Sequence, residues 1–97
     1  MTEERYVWVT TRRLMPGTLE DFERAWRPER HPDGMVRAFA YWSEDGREVV
    51  GVSFWESKES CHRWRASEGE RHRREAMSAY VEQESEDFYT GRELQVP

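Results

Sequence analysis

Apolar residues recur along this chain in two rhythms, and the changes of rhythm mark its elements. Residues 6–13, Tyr-Val-Trp-Val-Thr-Thr-Arg-Arg, are rich in β-branched and aromatic side chains, the composition of a strand. Pro16-Gly17 stops it. Thr18 then stands where an N-cap is expected, and Glu20 and Asp21 follow in the turn where the helix dipole favours acids. Leu19, Phe22, Ala25 and Trp26 recur at helical spacing and give one apolar stripe, which Pro28 and the polar run to Gly34 end. Met35 to Trp42 and Glu48 to Trp55 read as two strands joined by the turn Ser43-Glu44-Asp45-Gly46, an antiparallel hairpin. Ser57 is placed to cap a second helix whose apolar positions are Cys61, Trp64, Ala76, Met77 and Tyr80. Ser67 and Gly69 predict a break that divides this helix into a short and a longer piece. Ser85 to Leu94 reads as a fourth strand, with Phe88 and Tyr89 as its ring-bearing positions.

The order β-α-β-β-α-β is the split βαβ pattern of ferredoxin-like α+β folds. It predicts a four-stranded antiparallel sheet with two helices on one face. By parity, Val7, Val9, Ala38, Ala40 and Val49 group together, and Trp8, Phe39, Tyr41, Val52 and Phe54 form the other group. Both sheet faces therefore carry apolar residues. Helices cover one, and a second copy of the chain packed sheet to sheet is expected to cover the other.

Composition strengthens that expectation. The 97 residues make a single domain, with the folded part expected over about 6–94. Only 36% are hydrophobic, while 13% are aromatic, including five tryptophans, so burial rests on a few large rings. A thin core of this kind is commonly completed by a partner subunit, and a homodimer is expected. The formal charge of −5 argues against a nucleic-acid partner, which needs a basic face. The richest basic run, Arg71-His72-Arg73-Arg74, sits among Glu68, Glu70 and Glu75 and reads as a solvated helix face. A single cysteine, Cys61, excludes an intramolecular disulfide and reads as a small buried helix residue. No apolar leader and no stretch of membrane-spanning length occur, so no membrane partner and a cytoplasmic location are expected.

The chemistry on offer is sparse. Glu68 and His72 lie four apart on a helix and could sit side by side as metal ligands, but no recognisable third or fourth ligand accompanies them. No Gly-rich phosphate loop and no nucleophile elbow occur. His31, before Pro32, reads as a loop residue, and His72 as exposed. For Trp8, Trp26 and Trp64, core packing competes with a role as pocket wall. Trp55, at a strand end, reads as packing or dimer contact.

With this order established, the chain resembles the antibiotic biosynthesis monooxygenase family of dimeric α+β barrels. The residues that carry the resemblance are Pro16-Gly17-Thr18-Leu19-Glu20-Asp21-Phe22 and Trp55-Glu56-Ser57-Lys58-Glu59-Ser60, continued by Trp64 and Ser67. The resemblance implies a homodimer with facing sheets and a small apolar pocket in each protomer. Some members of that family oxidise quinol-type aromatics with molecular oxygen and neither metal nor flavin, some degrade haem, and many have no established activity. The haem-degrading branch requires an asparagine on strand one, a tryptophan early in the second helix and a histidine ten residues later. Here Thr10, Trp64 and Arg74 stand at those positions. A guanidinium does not ligate iron, and His72 lies about 200° around the helix from the required place. Haem degradation is therefore not expected. Under the oxygenase reading, Tyr6, Trp8, Thr10, Trp26 and Trp64 form the substrate pocket, with Arg12 as a candidate to hold a phenolate and His62 as a candidate base. The ligand would be a small aromatic or hydrophobic molecule, with no cofactor and no metal. The competing expectation is a non-catalytic dimeric ligand-binding or structural protein of the same fold.

Overall fold

The computed structural model describes residues 4–97. Its elements are β1 (Arg5–Leu14), α1 (Leu19–Trp26), β2 (Met35–Trp42), β3 (Glu48–Trp55), α2 (Lys58–Arg65), α3 (Glu68–Ser78) and β4 (Val81–Gly91). The strands form one antiparallel sheet in the order β2-β3-β1-β4. This is the expected ferredoxin-like α+β fold, with the second helix divided in two where Ser67 and Gly69 predicted a break.

Local chemistry explains most boundaries. Ser57 Oγ accepts the Ser60 backbone N–H at 3.1 Å, and Ser60 Oγ accepts the Ser57 N–H at 3.3 Å, a reciprocal capping box that starts α2. Ser67 repeats the cap for α3 by accepting from the Glu70 N–H at 3.2 Å. Arg27, which precedes Pro28, is already extended, and α1 ends there. The hairpin turn closes through the Gly46 N–H to the Ser43 carbonyl at 2.9 Å, with Gly46 at φ +70°.

Three expectations are corrected. Thr18 does not cap α1 through its side chain. Its hydroxyl donates instead to the Met15 carbonyl at 2.8 Å, and so bonds back into the preceding turn. The fourth strand starts at Val81 and ends at Gly91, not Ser85 to Leu94. Pairing with β1 from Leu14↔Val81 to Arg5↔Gly91 recruits the polar residues 82–87, whose ladder bonds outweigh their poor strand propensity. The parity groups are also mixed. The pairings Val7↔Phe54, Val9↔Val52 and Phe39↔Val52 put Val7 and Val9 on the same face as Phe39, Tyr41, Val52 and Phe54. Trp8↔Ser53, Arg12↔Val49 and Ala38↔Ser53 put Ala38, Ala40 and Val49 on the helix face with Trp8. Odd and even numbers exchange meaning between strands because register, not numbering, decides the face.

Under the helices lie two core clusters. Leu14, Phe22, Val49 and Met77 form one, and Trp8, Trp55 and Cys61 the other. The opposite sheet face carries Val9, Val52, Phe54, Phe39 and Tyr41, with Phe39 stacked on Tyr41 at 6.1 Å and edge-on to Phe54 at 6.0 Å. Among the described residues no helix packs there; Tyr41 and Tyr89 are more than half exposed. Among the described residues no helix is long and apolar enough to cross a membrane.

Candidate active site

Between the helix face of the sheet and the connection from α1 to β2 lies a cavity of about 410 Å³. Trp8, Thr10, Gly51 and Ser53 line it from the sheet, Trp26 from α1 and Trp64 from α2. The loop residues 28–32 and Arg73 close its outer side. A second space of about 620 Å³ lies beyond, against α2 and α3, and shares Trp64, Arg73 and residues 28–32 with the first.

Few polar groups face the first cavity unengaged. Ser53 Oγ accepts the Trp55 indole N–H at 2.8 Å. Arg73 grips the buried Glu70 with two nitrogens, each at 2.9 Å, and donates its third to the Trp26 carbonyl at 2.7 Å. Thr10 Oγ1 accepts from Arg12 Nη1 at 2.9 Å and keeps its own proton free. Trp26 and Trp64 find no acceptor for their indole N–H among the described residues.

His31 is the exception with chemical reach. Its Nε2 lies 2.6 Å from the Met35 carbonyl, which can only accept, so Nε2 carries the proton. His31 lines the cavity, and its other ring nitrogen, Nδ1, makes no hydrogen bond among the described residues. The sequence reads His31 as a plain loop residue, and it does lie in the loop. Nothing in the Arg30-His31-Pro32 run signals a base, because its tautomer is set by a carbonyl four residues on.

The structure brings together four of the expected pocket residues, Trp8, Thr10, Trp26 and Trp64. Tyr6, Arg12 and His62 do not line this cavity. Arg12 is 1% exposed beneath Phe22, with Nε 3.3 Å from Glu84 Oε2. Burial pulls the Arg12 guanidinium below its ordinary value. It reaches the cavity only through Thr10. His62 and Tyr6 pair with each other, His62 Nε2 to Tyr6 Oη at 3.0 Å. His62 Nδ1 faces Arg65 Nη1 at 3.1 Å, and because a guanidinium only donates, Nδ1 accepts and Nε2 donates to Tyr6. Both ring nitrogens are thereby occupied. Desolvation raises the Tyr6 phenol above its ordinary value, with the Cys61 side chain adding to the rise and Arg65 opposing it.

Behind Trp8 lies an ionic network that no local sequence pattern signals. Glu86 Oε2 accepts the Trp8 indole N–H at 2.7 Å, Arg65 Nε at 3.1 Å and Arg74 Nη2 at 3.1 Å. Burial pushes the Glu86 carboxyl up, but the hydrogen bonds from Arg65 and Arg74 outweigh it and hold the group below the usual carboxylate range. The basic run of α3 is therefore only half solvated. Arg71 and His72 face water, with Arg71 paired to Glu68 and Glu75, while Arg73 and Arg74 turn inward. Glu68 thus pairs with Arg71 instead of joining His72. Helical periodicity places Arg73 and Arg74 near the sheet, but Glu86, the partner of Arg74, lies on β4, and no local pattern connects the two.

No protein-family model matches the chain. No curated protein matches it either. Solved structures do. The chain is similar to SnoaB, a cofactor-independent oxygenase from Streptomyces nogalater, with a TM-score of 0.78 at 19% identity over 95% of this chain and 97% of that one. A structure from Nitrosomonas europaea, described as an antibiotic biosynthesis monooxygenase, gives a TM-score of 0.77 at 16% identity over 89% of this chain and 97% of that one. A Bordetella bronchiseptica structure of the same description gives 0.76 at 16% identity over 96% of this chain and 100% of that one. The fold is therefore that of the antibiotic biosynthesis monooxygenases, across nearly the whole chain in each comparison.

Proposed function

We propose that this chain is a cofactor-independent monooxygenase that oxidises a small phenolic or quinol-type aromatic with molecular oxygen. The observation that carries the reading is the cavity walled by Trp8, Trp26 and Trp64, with His31 in its lining and held through Nε2 by the Met35 carbonyl. The fold shared with SnoaB, itself a cofactor-independent oxygenase, supports it. In this reading His31 takes the phenol proton, and the electron-rich phenolate reacts with oxygen inside the indole-walled space. At an activated CH2 position, one oxygen atom becomes a carbonyl and the other leaves as water with the two hydrogens. The working unit is a homodimer joined through the Phe39, Val52 and Phe54 face of the sheet, which no helix among the described residues covers. The lone buried thiol of Cys61 suits a reducing, cytoplasmic setting.

Oxygen uptake with a panel of anthrones and quinols, metals chelated, tests the reaction. His31→Gln is expected to lower kcat by about 100-fold or more, the usual range for a lost general base. Absence of uptake by the wild-type protein across the panel overturns the oxygenase reading.

A second reading, a non-catalytic dimeric binder of aromatic ligands, is favoured by one observation: Arg12 and His62 are engaged with protein partners instead of the cavity. Saturable tryptophan quenching by aromatic ligands without oxygen uptake would establish it.

A further inference from the structure

Gly51 makes an opening in the cavity lining where two donors meet. A Cβ on this residue would stand 2.8 Å from Thr10 Oγ1 and 3.5 Å from Trp26 Nε1, so the two polar atoms flank one bare Cα. Thr10 lies opposite Gly51 in the β1–β3 ladder, and Trp26 reaches over from the end of α1. All three residues line the cavity. Neither donor has an acceptor among the described residues. Arg12 Nη1 donates to Thr10 Oγ1 at 2.9 Å, which occupies an oxygen lone pair and leaves the hydroxyl proton to be given away. The Trp26 N–H can only donate, and no described residue accepts it.

We propose that Thr10 Oγ1 and Trp26 Nε1 form a two-donor seat over Gly51 for a carbonyl or phenolate oxygen of the ligand, with Arg12 as the positioning residue behind it. This rests on the reading of the cavity as an aromatic-binding site. Arg12 cannot touch the ligand, since it is 1% exposed and held beside Glu84. It acts by fixing the direction of the Thr10 hydroxyl and by polarising it, because a hydrogen bond accepted from a cation strengthens the bond donated onward. The seat selects for the oxygen on an aromatic framework, and the indole walls select for the framework. An aromatic lacking the oxygen leaves both donors facing an apolar surface, which costs affinity.

The test uses a pair of bicyclic probes of matched shape, 1-tetralone and tetralin, and the full-length protein. Wild type is expected to bind the ketone about tenfold more tightly than the hydrocarbon, the difference that hydrogen-bonded seating produces. Its carbonyl stretch is expected to move to lower frequency on binding. Thr10→Val keeps the shape and removes the hydroxyl. It should erase most of the ketone preference and return the carbonyl stretch towards its value in apolar solvent, while Thr10→Ser restores both. Trp26→Phe should weaken the preference through the second donor, and Gly51→Ala should abolish ketone binding by filling the seat. If wild type binds both probes equally, with no shift of the carbonyl stretch, the seat is overturned and the aromatic cavity stands. If wild type binds neither probe, the cavity reading falls and the seat falls with it.

Discussion

Trp8 donates its indole N–H to Glu86 across 2.7 Å, and this bond ties the cavity lining to the ion pairs between α2, α3 and β4. The indole is also flanked by two guanidinium groups, Arg65 at 5.6 Å and Arg74 at 5.7 Å from its ring centre. One carboxylate thus holds a cavity side chain and two cations from separate helices.

Replacing Glu86 by glutamine should therefore destabilise the protein by about 3 kcal/mol near neutral pH, because it leaves Arg65 and Arg74 without their shared counter-charge. The folded-state value of Glu86 lies below its ordinary value of 4.5. Its contribution is therefore present above that value and is lost as pH falls through the lower, folded-state one. Urea unfolding of both proteins from pH 7 to pH 3 should show their stabilities converging only at the acid end.

Gly34 and Gly17 both have positive φ, +87° and +73°, yet they differ in surroundings. A Cβ on Gly34 would come within 2.5 Å of Ser60 Cβ, inside the capping box of α2, whereas one on Gly17 meets nothing within 4 Å. Gly17→Ala should cost about 1 kcal/mol from backbone strain alone. Gly34→Ala adds displacement of the cap and should cost about 3 kcal/mol. Thermal melts of the two variants should rank in that order.

Cys61 is completely buried, and burial pushes its thiol up to about 11. It should resist alkylating reagents at pH 8 in the folded protein and react at once in urea. The unfolded thiol ionises at lower pH than the folded one, so stability should fall as pH rises above about 9. Cys61→Ala should remove that alkaline component.

The fold was readable because its signals are local: the Ser57 cap, the Asp45-Gly46 turn and the breaks at Pro28 and Ser67 lie within a few residues of the boundaries they set. The candidate site is legible only in part. Trp8, Thr10, Trp26 and Trp64 follow from strand and helix periodicity, and the cavity lies between them. His31 does not follow, since its loop has no period. Nor do Glu70, Glu84 and Glu86 as interior partners, since acidic residues in a charged run look solvated until the arginines that bury them are placed. The face assignment of Val7 and Val9 failed for a related reason: it depends on inter-strand register.

Phe54 and Val52 lie at the centre of the uncovered sheet face. Under the proposed dimer, Phe54→Glu puts a charge into that interface on both copies. It should convert the protein from a dimer to a monomer by sedimentation at micromolar concentration. A wild-type protein that sediments as a monomer would remove the dimer from the proposal.

His62 should be a neutral ring protonated at Nε2, because Arg65 supplies the hydrogen bond at Nδ1. Nitrogen-15 chemical shifts of the imidazole should show that tautomer. Arg65→Met, which frees Nδ1, should let the two tautomers mix.

Trp64 and the loop 28–32 border both interior spaces, one of about 410 Å³ and the other of about 620 Å³. With Arg73 they form the boundary that the two spaces share. Under the proposed function, the Trp64 rotamer would influence how long a guest the site admits. A turn of the Trp64 ring, or its loss, would join the chambers and let an elongated polycyclic molecule lie across both.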